Sequence, residues 1–180
     1  SAYMAAYKAK GYDFIKVHDE TPVVLDSVLA AAKRIGIPVA GHVPPPTTIE
    51  HILPLGYASI EHPLDDYHWN KSAGIAVLAS AMRRAHVWHC ATLARLGEPT
   101  PLVKVEHDSG VKLLLGTDVM PQLGVITQEL KAFVAEGLTP YQALLTGTRN
   151  PAAFLGMLGD NGTIAPGKRA DLILLTAIGR

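Results

Sequence analysis

This chain of 180 residues has one cysteine, few aromatic residues and no net charge. The single cysteine, Cys90, excludes an internal disulfide and any zinc site built on several cysteines. The 16 basic and 16 acidic residues cancel to a net charge of +0, which gives no electrostatic footprint for nucleic acid or an anionic membrane. No apolar run reaches the roughly 18 residues of a membrane span. We therefore expect a soluble protein in which histidines and carboxylates hold any metal ion.

The sequence does contain a regular alternation of short apolar runs and helix-like segments. The pairs Thr21-Pro22, Thr139-Pro140 and Asn150-Pro151 are typical of helix starts. Short strands alternating with helices of about 10 to 15 residues predict an α/β fold with a parallel sheet buried on both faces. The predicted strands are 13–17, 37–41, 58–61, 87–91, 111–115 and, near the end of the chain, 171–175.

Polar side chains stand at the carboxyl ends of these strands, where parallel α/β proteins gather their functional groups. Neutral imidazole and carboxylate are the zinc-type ligands available without cysteine. Ligands from separate strands converge if those strands line one barrel or cleft. The pattern predicts a metal site, and its candidate residues are Lys16, His42, His62 and Asp118.

Each of these residues alone also has a structural interpretation. A histidine after a strand often hydrogen-bonds a backbone carbonyl, and Asp118 could form a turn behind Gly116. Lys16 is harder to explain in this way, because a lysine within a strand buried on both faces loses hydration unless a group pairs with it. A lysine at the end of a strand can, however, extend to solvent. The structural interpretation weakens when the four residues are taken together.

Other polar residues near the strand ends are candidates for substrate contact. His18 lies two residues beyond Lys16 and therefore on the same face of the strand. Tyr67 and His68 follow the third predicted strand in a loop, and His89, within the fourth strand, either lines the pocket or packs. These four residues form the predicted substrate-binding set.

Sequence motifs along nearly the whole chain match one family in order. They are GYDFIKV at 11–17, GIPVAGHV at 36–43, SIEH at 59–62, LGTD at 115–118, EGLTP at 136–140, NPA at 150–152 and GTIAPGKRADL at 162–172. With these motifs the chain resembles the amidohydrolase superfamily, particularly its imidazolonepropionase and Xaa-Pro dipeptidase-like branch.

The resemblance implies a (β/α)8 barrel of the TIM type with a small β-sandwich, and one or two divalent metal ions, usually zinc, at the barrel mouth. Lys16 matches the lysine that is carboxylated and bridges the two metals. His42 and His62 match the histidine ligands on strands five and six. Asp118 matches the strand-eight aspartate, which shuttles the proton when a metal-activated hydroxide cleaves a C–N amide, peptide or cyclic amide bond. His18 departs from the pattern, because the family commonly has tyrosine there.

The family's first two ligands, a His-x-His pair on strand one, have no counterpart upstream of Lys16. A complete barrel needs roughly 250 residues, so we expect the chain to supply about strands four to eight. Residues 1–160 would form this part of the barrel, and residues 161–180 would enter a truncated β-sandwich as its return strand. Uncovered strand edges favour a homo-oligomer, and the missing ligand pair favours weak metal binding by the isolated chain.

Two other functions compete with the hydrolase. A truncated, catalytically inert barrel piece would act only in binding or assembly. A doubly wound nucleotide-binding domain would need a Gly-rich phosphate loop that opens a helix, and the sequence lacks one. A hydrolase of this kind would act on a small molecule or short peptide, whose identity depends on the loops after the strands.

Overall fold

The computed structural model describes residues 2–95, 102–118 and 125–174. Five strands in this part of the chain form one parallel sheet, in which each strand pairs with the next one along the sequence. The strands are β1 (Ile15–Val17), β2 (Val39–Gly41), β3 (Tyr57–Glu61), β4 (Trp88–Cys90) and β5 (Lys112–Leu114). The first five predicted strands and the α/β class are thereby confirmed, with strand bounds that differ by one or two residues at an end.

One helix precedes the first strand, and the others connect the strands or follow the last one. They are α1 (Ala2–Ala9), α2 (Pro22–Ile35), α3 (Ile49–Ile52), α4 (Ile75–Arg84), α5 (Leu102–Asp108), α6 (Val125–Ala135), α7 (Pro140–Thr146) and α8 (Arg149–Phe154). Thr21 precedes α2, and Gly36 ends it in the left-handed conformation with φ 68°. Thr139 and Gln142 form a reciprocal capping box at α7. Both predicted helix starts are confirmed.

The start of α8 differs from the prediction. The helix begins at Arg149, so Asn150 and Pro151 lie within its first turn instead of preceding it. Proline is tolerated there because the amides of the first turn have no acceptor within the helix. The Asn150 side chain donates instead to the carbonyl of Leu113 at 2.8 Å, which ties α8 to β5.

The strand predicted at 171–175 is not formed over 171–174, and residue 175 lies outside the described residues. Leu172, Ile173 and Leu174 are 60%, 89% and 93% exposed. A strand needs a neighbour for its hydrogen bonds, and no strand of the described sheet pairs with this segment. Leu172, Ile173 and Leu174 therefore lie outside the sheet and are exposed.

One row of side chains across the sheet is completely buried. Successive strand residues point to opposite faces, and the register aligns one row across the sheet. Its four side chains are at most 1% exposed: Val17, Ile60, His89 and Leu113. Because these side chains belong to the core that the helices cover, His89 faces the helix layer.

On the opposite face, the register row that begins at Lys16 is buried only in its middle. Ala40 and Ser59 are buried there, whereas Lys16 and Lys112, at the two ends of the same register row, are exposed. β1 and β5 are the edge strands of the sheet in the described residues, so no further strand shields them. The prediction of burial on both faces is therefore wrong at Lys16 and Lys112.

Candidate metal centre

Three polar side chains meet at the carboxyl ends of the strands. His42 follows β2 and His62 follows β3, and their Nε2 atoms are 2.7 Å apart. Asp118 lies beyond β5, with its Oδ2 atom 3.7 Å from His62 Nε2. We call His42, His62 and Asp118 the strand-end cluster. Two imidazoles and a carboxylate that converge from three strands are a suitable donor set for a divalent cation.

The backbone at two members of the cluster is left-handed. His62 has φ 74° and Asp118 has φ 48°, conformations that cost a non-glycine residue about 1 to 3 kcal/mol unless its surroundings hold it. The His62 amide donates to the Cys90 carbonyl at 2.9 Å. Its Nδ1 atom lies 3.1 Å from Thr92 Oγ1, the kind of outer contact that orients a metal-binding imidazole. β4 and the residue two positions beyond it thus hold His62.

A glycine places His42. Gly41 has φ 130°, and a Cβ atom there would lie 2.2 Å from the Val17 carbonyl oxygen, so a larger residue would push β1 and β2 apart. The His42 amide donates to the same carbonyl at 3.1 Å. The close approach also brings the His18 ring to 3.9 Å from the His42 ring, measured between centroids. The Gly41-His42 pair in the sequence therefore has a specific structural reason.

His42 is held in its neutral form. Partial burial, followed by the nearby His62, His18 and Lys16, lowers the pKa of His42 from 6.5 to about 4. A neutral imidazole keeps a lone pair for a metal ion, whereas a protonated one does not. The two Nε2 atoms 2.7 Å apart share a hydrogen bond, and that proton is the one a cation would displace. The cluster fits a zinc-type ion by this chemistry.

Lys16 lies at the edge of the sheet beside the cluster. It is exposed, because β1 has no neighbour on its outer side in the described residues. Lys16 is therefore not a buried lysine in need of a charged partner, and its side chain extends to solvent. Its positive charge nevertheless reaches the cluster, since it contributes to the lowered pKa of His42.

A second donor set shares His42. The candidate ligand atoms of His18, Asp19 and His42 all lie within 4.8 Å of one another, and His18 Nδ1 is 2.5 Å from Asp19 Oδ2. His18 and Asp19 are both exposed. Sequence reasoning missed Asp19, although its position directly after His18 at the end of β1 was the available signal.

The other predicted substrate-binding residues divide into two groups. Tyr67 donates from its hydroxyl to the Glu61 carbonyl, with its ring 6.5 Å from that of His42. His68 is exposed, and its carbonyl accepts from the amide of Ile49 at 3.0 Å. The structure therefore brings Tyr67 close to the strand-end cluster and leaves the His68 side chain open to solvent.

His89 packs and does not reach the open face of the sheet. Its Nδ1 atom is 2.8 Å from Glu106 Oε2, and its Nε2 atom is 2.8 Å from the His62 carbonyl oxygen. Burial lowers the pKa of His89, but the Glu106 carboxylate and these hydrogen bonds outweigh burial and raise it overall. We call His89 and Glu106 the buried pair. Glu106 was missed because a helical glutamate carries no sequence signal of burial.

Comparison with known proteins identifies the family. The sequence profile of the amidohydrolase family matches residues 11–178. The chain belongs to the amidohydrolase family. It is 29% identical over 163 residues to the imidazolonepropionase of Rhizobium meliloti (strain 1021), covering 86% of this chain and 38% of that protein. It is 34% identical over 155 residues to the imidazolonepropionase of Deinococcus deserti, covering 82% of this chain and 37% of that protein.

Solved structures show the same fold at lower identity. A crystal structure described as a putative prolidase from Bifidobacterium longum has a TM-score of 0.70 and 21% identity, covering 94% of this chain and 51% of that one. A Xaa-Pro dipeptidase with bound methionine in its active site has a TM-score of 0.66 and 20% identity, covering 94% and 50%. Together with the family, these neighbours imply a TIM-barrel-like fold. The chain spans 38% and 37% of the two imidazolonepropionases and about half of each solved chain.

In the described part of the chain, no helix has the length and apolar character needed to cross a membrane.

Proposed function

We propose that the protein is a metal-dependent hydrolase that cleaves a C–N amide, peptide or cyclic amide bond. The convergence of the strand-end cluster carries the proposal: the Nε2 atoms of His42 and His62 are 2.7 Å apart, and Asp118 Oδ2 is 3.7 Å from His62 Nε2. Family membership supports it, because the amidohydrolase relatives named above are hydrolytic enzymes acting on such bonds.

His42, His62 and Asp118 would hold the ion, most simply zinc, as neutral imidazole and carboxylate ligands. Lys16, an exposed residue of β1 beside the cluster, would join them as a carboxylated, anionic side chain that permits a second ion. A bound divalent cation lowers the pKa of water toward about 7 and polarises a carbonyl group. The residues of the chain then have to orient the substrate and move a proton.

Asp118 is the proposed proton carrier. It accepts the proton of the attacking water on its carboxylate and returns it to the leaving nitrogen, so that the amine departs neutral. Its side chain is 45% exposed, which leaves room for substrate. A positively charged ion nearby favours the ionised carboxylate that the first step needs.

The substrate would lie across the open side of the cluster. His18 and Tyr67, whose ring centroids are 3.9 Å and 6.5 Å from that of His42, flank that side. His68 follows Tyr67 in an exposed loop. These positions suit a small molecule or a short peptide. In the proposed architecture, residues 1–160 supply strands four to eight of the barrel and residues 161–180 lead into a β-sandwich.

The test uses the protein expressed from its complete coding sequence. Asp118→Asn keeps the shape and one oxygen ligand but cannot accept a proton, so we expect kcat to fall about 10² to 10⁴-fold while most of the metal stays bound. Metal content is measured by elemental mass spectrometry. Turnover is measured with Xaa-Pro dipeptides, N-acyl amino acids and cyclic amides as substrates.

Two variants control this experiment. His62→Gln should lower metal content and turnover together, because its side chain would act only as a ligand. Asp108→Asn changes an exposed aspartate that pairs with Lys104 on α5 and should change neither. A near-normal kcat in metal-loaded Asp118→Asn would reduce Asp118 to a turn residue. A metal-free, inactive wild-type protein would favour the binding or assembly function instead.

A further inference from the structure

The buried pair lies behind the strand-end cluster. His89 in β4 is 1% exposed and Glu106 in α5 is 0% exposed. His89 Nδ1 meets the Glu106 carboxylate at 2.8 Å, and His89 Nε2 meets the His62 carbonyl oxygen at 2.8 Å. Because a carbonyl oxygen only accepts hydrogen bonds, the Nε2 atom of His89 carries a proton. The pair therefore connects α5 to the backbone of His62.

A contribution to stability does not explain why His89 and Glu106 are buried together. Two ionisable groups are removed from water, a cost that their mutual attraction often fails to recover, and an apolar pair of similar volume is frequently as stable or more so. Glu106 Oε1 has, in addition, no hydrogen-bond partner among the described residues, and a buried acceptor without a partner is unfavourable. The arrangement calls for a role other than packing.

The role follows from what the pair contacts. His62 has a left-handed backbone, which must be held by its surroundings. The Cys90 carbonyl accepts from its amide, the Thr92 hydroxyl contacts its ring, and His89 donates to its carbonyl. The contact from His89 fixes the peptide plane that follows His62. Together these three contacts hold the backbone from which the imidazole extends toward His42.

We propose that His89 and Glu106 are positioning residues for the metal site. Through the His62 carbonyl they hold the His62 imidazole in the direction in which its Nε2 atom faces His42 and Asp118. Glu106 acts one step further back, because its contact with Nδ1 orients the ring so that the Nε2 proton points to the carbonyl. The inference rests on the proposed metal-dependent function.

The experiment measures Co²⁺ binding to the protein expressed from its complete coding sequence. The double variant His89→Leu/Glu106→Leu removes both members of the pair, so no buried charge is left without its partner. We expect a folded protein whose Co²⁺ affinity falls about tenfold to hundredfold, the usual effect of losing an outer contact of a ligand. The visible absorption spectrum of bound Co²⁺ should change as well, which a purely structural role would not require.

A matched double variant provides the control. His51 and Asp26 form an exposed pair with Nε2 and Oδ1 2.8 Å apart, and His51→Leu/Asp26→Leu should leave affinity and spectrum unchanged. His89→Gln keeps an N–H group for the His62 carbonyl and should restore affinity to within a few fold of the wild type. If the double leucine variant does not fold, the Co²⁺ affinity of His89→Gln is compared with that of the wild type instead.

The outcomes separate the two proposals. A folded double leucine variant with wild-type Co²⁺ affinity and spectrum would overturn the positioning role while leaving the metal site intact. So would a His89→Gln protein that loses as much affinity as the double variant. A wild-type protein that binds no Co²⁺ would instead overturn the proposed function itself.

Discussion

Two histidines contact His62, His42 at its ring and His89 at its carbonyl oxygen, and their environments are opposite. His42 is partly exposed beside His62, His18 and Lys16, and its pKa is lowered to about 4. His89 is buried against Glu106, and its pKa is raised. The first is a neutral imidazole with a lone pair to offer, and the second uses both ring nitrogens in hydrogen bonds. The difference separates a metal ligand from the group that supports one.

The cause is the position of each residue relative to the sheet. His89 lies within β4 and points to the helix layer, where Glu106 is its neighbour. His42 lies one residue beyond β2, where the end of β1 contributes the basic side chains of Lys16 and His18. A histidine in a strand and a histidine just after one therefore have different chemistry.

The largest expected effect concerns Lys16, which lies beside the partly exposed His42. Lys16→Ala removes a proposed ligand. It should therefore lower metal affinity and turnover by more than the loss of an outer contact does, which is about tenfold to hundredfold. An added short-chain carboxylic acid, which supplies the missing carboxylate, should restore part of both. Metal analysis and steady-state kinetics, with and without the acid, check the prediction.

Lys112 provides the matched control. It stands on the same register row as Lys16 at the opposite edge of the sheet, and it is also exposed. Its ammonium group lies 4.8 Å from the centroid of the Trp88 ring, away from the strand-end cluster. Lys112→Ala should keep full metal content. Full metal content and activity in Lys16→Ala without the acid would exclude the bridging role.

The second effect contrasts the two histidines in stability. His89→Leu leaves Glu106 buried without its partner, and we expect the free energy of unfolding of the metal-free protein to fall by about 3 to 5 kcal/mol. His42→Leu changes a partly exposed side chain and should cost about 1 kcal/mol or less. Urea denaturation measures both. Equal losses would show that the two environments do not differ in the way the structure indicates.

The sequence predicted the strand-end cluster because strand ends can be recognised locally. Gly41-His42 and Glu61-His62 follow apolar runs, and parallel strands bring their carboxyl ends to one edge. The family motifs added the expected roles. The partners of His62 could not be predicted in this way, because the contact between Thr92 and His62 spans 30 residues and depends on a left-handed backbone.

Burial was the least predictable property. Lys16 and Lys112 belong to apolar runs that predict strands covered on both faces, but exposure depends on what lies beyond an edge strand, which no local pattern reports. Glu106 shows the converse, since a glutamate in a short polar helix is normally exposed and here is 0% exposed. Its burial depends on the orientation of His89 in another element.

The smallest effect is the pH dependence of stability in the metal-free protein, in which the two histidines should act in opposite directions. The unfolded pKa of His42 is 6.5 and the folded one is about 4. The unfolded state therefore binds more protons between these values, and the free energy of unfolding falls as the pH is lowered through that window. His89 has a raised folded pKa. Its contribution is complete below pH 6.5 and is lost as the pH rises through the folded value.

In a plot of the free energy of unfolding against pH, His42 accounts for a fall toward low pH, the acid limb, and His89 for a fall toward high pH, the alkaline limb. Single substitutions separate the two limbs. His42→Gln should flatten the acid limb and leave the alkaline limb in place, whereas His89→Gln should do the reverse. Each limb has a slope of at most about 1.4 kcal/mol per pH unit, the value for one proton. Urea denaturation of the three metal-free proteins between pH 4 and pH 9 measures the slopes, and the difference between each variant and the wild type removes the contribution of other groups. If His89→Gln flattened the acid limb instead, the charge states assigned to the two sides of His62 would be wrong.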